Sequence, residues 1–331
     1  MVIDVHTHVC PPRLVAPLGA HPYWPYVAAQ SAEQSAITIN GKLFRTIDAR
    51  SWDGARRVRD MDEEGIAGQV LSPMPELLSY WLPVDDAARL AAAVNRQVLE
   101  TAAYDPVRFH ALGMVTAQAP ALAARQLAEL AGLGFVGIEI GSHFDGRPLG
   151  HPDNFAIYEA AEALDLAIFV HPLHPCGGER IGGSEAFRAA TLFPLEIALA
   201  AVSLINGGVF ERFPALRFLL SHGGGALQAI LPRLSKAWRL SGEVRRDVAE
   251  DPESYTTRFW YDSNVYDAGA VQALAARVGV ERIAVGSDYP YLIRQERPGD
   301  FFATALPGAT AGAAALQWLR GGGKRRTVHA C

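Results

Sequence analysis

The 331-residue chain is poor in cysteine. It has three, Cys10, Cys176 and Cys331, an odd number without a CxxC pair. That excludes a disulfide framework and points to a reducing cytoplasm. Positive charge is not in excess: 30 Lys and Arg stand against 35 Asp and Glu, a formal net charge of -5. No basic stripe runs along the chain, so nucleic acid is not an expected partner. A secretory signal is not expected at the start, where VIDVHTHVC carries charge and histidines in place of an apolar core. A membrane span is not expected either. The most apolar stretch, 192–210, contains Pro194 and Glu196 and stops at Asn206-Gly207-Gly208. That leaves about 12 helical residues against the roughly 20 a bilayer needs, so the stretch reads as a buried helix. No nucleotide motif is present, since GSHFDG and SHGGGA lack the pattern and context of GxGxxG or a P-loop.

What is present is apolar. Half of the residues are hydrophobic and a fifth are charged, which is the balance of a folded chain with ample core. Eight short β-like runs fall at 2–9, 67–73, 109–115, 136–141, 166–172, 216–223, 258–265 and 282–290. Most are continuously apolar, as in strands buried on both faces of a parallel sheet. Helical patterns lie between them. Residues 85–104 carry Leu90, Val94 and Val98 on one face, 119–130 end before Gly132, and Asp153 is placed to cap a helix carrying Ile157, Ala160, Ala161 and Leu164. Eight strand–helix units predict an α/β fold, a (β/α)8 TIM barrel spanning 1–331 as one domain; an open doubly wound sheet is the runner-up. Residues 11–50 break the rhythm. Two β-like runs around Asn40-Gly41 predict a type I′ hairpin, read as an insertion over the barrel mouth and ordered by Trp24, Tyr26 and Phe44. The terminal GGGKRRTVHAC reads as a solvated basic tail.

The chemistry sits at the strand ends. His6 and His8 close the first run, His171 the fifth, His222 the sixth and Asp288 the eighth. In a barrel these C-terminal ends converge on the face where active sites are built. Positions i and i+2 of a strand point the same way, so His6 and His8 can grip one ion. Taken singly, a histidine in an apolar strand is most often a hydrogen-bonded core residue. Five such residues at four strand ends are not independent accidents, and together they predict a metal site. Neutral imidazoles with one carboxylate suit Zn2+, with another divalent ion such as Mn2+ as the alternative.

This set, with IDVHTH, GKLFR, SWD, RVRDMDEEGI, LLSYW, NGGVFERFPALRF, SHGGGA and GSDYP, resembles the amidohydrolase superfamily. Within it the chain is similar to the amidohydrolase-2 group of decarboxylases, and most nearly to its aminocarboxymuconate-semialdehyde decarboxylases, over nearly its whole length. The resemblance implies one Zn2+ per chain held by His6, His8, His171 and Asp288. It implies that His222 is not a ligand but an acid/base beside the bound water; the residues alone leave His222 and His171 interchangeable. It implies that Arg45 binds a substrate carboxylate and that Arg233 reaches into a neighbouring subunit's site, hence a homodimer with shared sites. The plainer reading of both arginines is a surface ion pair, and Arg50 and Arg239 are nearby competitors. Binuclear relatives bridge their metals through a lysine on the fourth strand. Here that strand reads VGIEIG, with Glu139 and no lysine. One metal is therefore expected, with Glu139 either a hydrogen bonder behind a ligand or a structural carboxylate.

The chain also departs from the group. Arg188 stands where a pocket tryptophan is expected, Tyr291 where the group has Phe, and His174 is an additional histidine beside the metal. The C-terminal Asn-Ala signature is replaced by GAAALQWL. These changes make the pocket more polar and keep the chemistry. The expected activity is non-oxidative decarboxylation of an unsaturated or aromatic carboxylic acid by His222, with Asp288, without an organic cofactor. Either water adds to the unsaturated carbon before CO2 leaves, or that carbon is protonated directly. The rival reaction is metal-dependent hydrolysis of a lactone or amide. The rival from another class is a catalytically dead barrel serving as a scaffold, against which the full ligand set argues.

Overall fold

A computed structural model of the protein describes residues 1–320. The basic tail and Cys331 lie outside the described residues. Eight strands form one parallel sheet in sequential order: β1 (Ile3–Val9), β2 (Gly68–Pro73), β3 (Phe109–Gly113), β4 (Gly137–Gly141), β5 (Ala167–His171), β6 (Arg217–Leu220), β7 (Phe259–Asp262) and β8 (Ile283–Ala284). The continuously apolar runs form these strands because each is covered on both faces, by the barrel interior and by helices. The sheet closes on itself. Val5 N donates to Val285 O at 2.8 Å, His8 N to Tyr289 O at 2.7 Å, and Asp288 N to His6 O at 2.9 Å. The fold is a (β/α)8 TIM barrel.

The covering helices include α1 (Gly54–Glu64), α2 (Val84–Ala102), α3 (Pro120–Gly132), α4 (Phe155–Ala163), α5 (Glu185–Asn206), α6 (Leu227–Leu240), α7 (Ala268–Val278), α8 (Pro298–Ala305) and α9 (Ala313–Arg320). Two expectations are corrected here. Asp153 does not cap α4; it lies inside a short 3-10 turn, Pro152–Asn154, and Asn154 stands at the helix start. The apolar helix is not cut to about 12 residues by Pro194: it ends at Asn206 as expected, but α5 runs for 22 residues from Glu185 with Pro194 inside it. The proline removes one helical N–H, and the turns before it are exposed, so the broken bond faces water. By length and composition α5 could cross a membrane. In the barrel it buries Ile197, Ala198, Ala201, Leu204 and Ile205 against the core. Gly225, after β6, passes so close to Pro194 O that a Cβ there would sit 1.9 Å from it.

Inside the barrel's lower half, Val5, Val70, Leu112, Phe169 and Leu219 pack against Ala314, Ala315 and Trp318 of α9. The C-terminal helix thus stoppers the end opposite the histidines. Arg217 fixes it, Nε donating to Trp318 O at 2.6 Å.

Between β1 and α1 the chain forms a three-stranded antiparallel sheet of Tyr26–Ala29, Gln34–Ile39 and Lys42–Asp48. Asn40 and Gly41 both take positive φ, 50° and 70°, the requirement of a type I′ turn. Trp24 is buried here, while Tyr26 and Phe44 are exposed. The excursion leaves and rejoins the barrel at one point, where Cys10 N donates to Ser51 O at 2.9 Å.

Candidate metal centre

His6, His8, His171 and Asp288 meet at the C-terminal end of the barrel. One ligand atom from each lies within 4.8 Å of all the others, and all four side chains are buried. Asp288 Oδ1 is 3.3 Å from His6 Nε2 and 3.2 Å from His8 Nε2. The His222 ring stands beside them, its centroid 5.5 Å from that of His171 and 5.2 Å from that of His6. His222 and Asp288 are not strand residues: β6 ends at Leu220 and β8 at Ala284. Both turn inward through left-handed backbone, φ 52° and 72°. Such strain in non-glycine residues costs on the order of 1–3 kcal/mol and persists where the surroundings over-determine it.

The imidazoles are aimed from behind. His6 Nδ1 lies 2.6 Å from Asp262 Oδ2, at the end of β7. Asp262 Oδ1 is itself fixed by the backbone N–H groups of Gly223 (2.8 Å) and Asn264 (3.1 Å). His8 Nδ1 donates to Pro73 O at 3.1 Å and His171 Nδ1 to Pro172 O at 3.0 Å. Each bond leaves the lone pair of Nε2 facing the cluster. Glu139 does not hydrogen-bond a ligand: its carboxyl is 3.7 Å from His8 Nδ1, beyond hydrogen-bond reach, and burial pushes it well above the usual carboxylate range. Below β1, the buried Arg57 guanidinium donates to Gln69 Oε1 (3.1 Å), Thr7 Oγ1 (3.2 Å), Arg50 O (2.8 Å) and His8 O, tying the HTH segment to β2. Asp262 and Arg57 escaped the sequence reading. WYDSN ends its run just as GSDYP does, so a signal for Asp262 existed.

Arg45 and Tyr291 border the cluster. The guanidinium carbon lies 4.2 Å from the Tyr291 ring centroid, which is 5.1 Å from that of His8. Glu76, from the turn after β2, pairs with Arg45 at 2.9 Å and accepts the Tyr291 hydroxyl at 2.8 Å. The other named residues are not brought to the ligands. His174 is exposed and stacks on Trp81, ring centroids 4.5 Å apart. Arg188 donates to Gly183 O in the loop before α5. Arg233 is exposed on α6. Among the described residues no hydrogen bond, ion pair or ring contact joins these three to the cluster. The competitors Arg50 and Arg239 are held by Asp48 and Asp251, each at 2.7 Å.

The donor set fits a divalent cation. Among the described residues, Nε2 of His6, His8, His171 and His222, and Oδ1 of Asp288, are buried without a hydrogen-bond partner. Stranding that many polar atoms would be expensive unless a cation shares them. The electrostatics agree. Burial holds the His8, His171 and His222 imidazoles below their usual value, hence neutral and ligand-ready. Burial also opposes charge on His6, yet Asp288 and Asp262 raise it to about 10, so the cluster calls for positive charge.

A parallel eight-stranded barrel with a His3Asp cluster at its C-terminal end defines a metal-dependent barrel enzyme. The Amidohydrolase family model matches residues 3–321, and the chain belongs to that family. A 2-amino-3-carboxymuconate-6-semialdehyde decarboxylase of Dictyostelium discoideum is 32% identical over 304 residues, 90% of this chain and 84% of that protein. The apo crystal structure of IDCase from Metarhizium anisopliae shares the fold with a TM-score of 0.80 at 21% identity, over 96% of this chain and 97% of its own. A 5-carboxyvanillate decarboxylase of Novosphingobium aromaticivorans, solved with bound manganese, matches with a TM-score of 0.71 at 25% identity, over 82% of each chain. By family, relatives and ligand cluster, the chain is a metal-dependent decarboxylase.

Proposed function

We propose that the protein is a zinc-dependent, non-oxidative decarboxylase of an unsaturated or aromatic carboxylic acid, working as a cytoplasmic homodimer. One observation carries the reading: the unpartnered ligand atoms of four buried side chains converge on one spot, with His222 Nε2, also unpartnered, beside them. Three imidazoles and one carboxylate favour Zn2+, with Mn2+ the alternative. When bound, the ion supplies Lewis acidity toward the substrate or a water next to it.

The chain's own groups do the rest. Arg45 offers a planar pair of donors to a carboxylate and so fixes both charge and orientation. His222, held neutral by burial, takes a proton from water at Nε2, with the Asp288 carboxylate favouring the charged ring, and passes that proton to the substrate carbon. As the carbon–carboxylate bond breaks, its electron pair stays on the substrate carbon. That carbon receives the proton, and CO2 leaves. Tyr291 forms one wall, and the loop bearing His174 together with the first turn of α5, bearing Arg188, the outer rim. Arg233, exposed and without an ion pair among the described residues, supplies the second cation to the site of the partner subunit. Free Cys10 and Cys176 favour a reducing compartment.

The test is CO2 release by metal-assayed protein from a panel of aminocarboxymuconate semialdehyde, hydroxybenzoates and hydroxypyridine carboxylates. Release that disappears on chelation is expected. Bound metal with no release from any acid would defeat the proposal and redirect the search to lactone hydrolysis.

A further inference from the structure

One amide at the barrel mouth has no part in the chemistry described so far. Asn264 follows β7 and is 1% exposed. Its backbone N–H donates to Asp262 Oδ1 at 3.1 Å, beside the N–H of Gly223, the residue after His222. The side chain is left over: among the described residues neither Oδ1 nor Nδ2 has a hydrogen-bond partner of good geometry. Stranding both ends of an amide is costly, and an apolar residue of the same shape would be cheaper there.

The amide faces the ligand cluster. Trp260 lies in the barrel interior and Asp262 reaches inward to His6, while Tyr261 packs outward. The two-residue period continues this inward face to Asn264, one step nearer the mouth. Tyr266 turns through left-handed backbone, φ 58°, toward the same place. Burial and the Asp288 carboxylate raise its hydroxyl and Asn264 opposes the rise, so both groups stand near it. Strands β8 and β1, which lead to Asp288, His6 and His8, lie between β7 and the turn after β2 where Glu76 holds Arg45. Asn264 and Arg45 therefore flank the ligands from two sides. An amide offers an acceptor and a donor next to each other. A hydroxyl, which both donates and accepts, meets the two together, whereas a C–H in its place leaves both unmet.

We infer that Asn264 is a specificity-determining residue: it takes a substrate hydroxyl set away from the carboxylate that Arg45 holds. The inference rests on the decarboxylase reading and narrows its substrate to hydroxylated acids.

The experiment compares dissociation constants of the metal-loaded protein for 3-hydroxybenzoate and benzoate by calorimetry. Neither acid loses CO2 by this route, because a 3-hydroxyl cannot feed electrons to the carbon that bears the carboxylate. CO2 release from the wider acid panel is recorded separately. The native protein should bind 3-hydroxybenzoate at least about tenfold more tightly. Asn264→Leu should keep its metal, bind benzoate within about threefold of native, and bring the ratio of the two acids to within about threefold. Asn264→Ala should lose the preference in the same way, and it decides the matter if the leucine does not fit. A native ratio near one, or a preference kept in the folded variants, would overturn the inference while CO2 release still upheld the decarboxylase. Equal loss of both acids would mark a merely structural residue and also overturn it. A preference that disappears in the variants, with no CO2 released from any acid, would uphold the hydroxyl subsite and sink the decarboxylase reading instead.

Discussion

Asp262→Asn tests how the metal site is aimed. The substitution is nearly isosteric, so its effect comes from hydrogen-bond polarity. Two backbone donors, from Gly223 and Asn264, converge on Oδ1 of Asp262. An asparagine must turn its carbonyl oxygen to them, which points its NH2 at His6 Nδ1, 2.6 Å away in the native pair. Two donors cannot share that line. His6 is therefore driven to the tautomer carrying hydrogen on Nε2, where a lone pair must meet the ion. Loss of such a supporting partner typically weakens metal binding by 10- to 100-fold, or about 1.4–2.8 kcal/mol. Competition with a chromophoric zinc chelator measures it, and circular dichroism checks the fold. Asp262→Ala is the control. It strands two N–H groups, at about 1–3 kcal/mol of stability each, but leaves His6 free to choose its tautomer. The alanine variant should thus melt earlier yet hold zinc better than the asparagine variant. Native-like affinity in Asp262→Asn, or the reverse order of the two variants, would refute the tautomer argument.

Other outcomes follow from the same geometry. His222→Ala should keep one metal per chain while losing about 100-fold or more in turnover, as expected when a general acid/base is removed; near-native turnover would take His222 out of the mechanism. His171→Ala should be purified without metal, and full occupancy by elemental analysis would contradict its place as a ligand. Mixing Arg45→Ala with Arg233→Ala subunits should restore part of the activity through hybrid sites, whereas no recovery after verified subunit exchange would argue against shared sites. Metal binding should also release a proton. Asp288 and Asp262 overcome burial to raise His6 to about 10, so the metal-free site holds a proton at pH 8 that the ion must displace. Zinc affinity should therefore climb as pH rises toward 10 and level off above it. Calorimetry in buffers of different ionisation heats should count about one proton at pH 8, and a count of zero would contradict the charge state assigned to His6.

The barrel was readable because continuous apolar runs repeat with helical spacers, and periodicity reports burial directly. The ligand types were readable because a histidine or carboxylate ending an apolar run is conspicuous. The rest depended on contacts between residues far apart in sequence. Glu76 sits in an ordinary-looking turn, SPMPELL, and its carboxylate is partnered only by residues distant in sequence, Arg45 from the inserted sheet and Tyr291. Arg57 looks like one cation among many on α1, yet it is wholly buried beneath β1. Local rules place the start of the helix after Pro194, whereas α5 begins well before it, at Glu185, and runs through the proline. His222 and Asp288 follow strands rather than ending them, because their backbone must swing into the left-handed region to aim inward, and residue type does not encode that swing.

The way the barrel closes has a consequence for biosynthesis. His6 and Asp288 meet only because the first and last strands lie side by side, His6 O accepting from Asp288 N. A nascent chain that has emerged through His171 carries three of the four ligands but no enclosed site, since the carboxylate and the wall that shields it are still to be made. Joining strands so distant along the chain is a slow, late event. On the proposed reading the full set of four ligands exists only in the closed barrel, so the amount of active enzyme should depend on metal available to the folded chain as well as on how much polypeptide is synthesised.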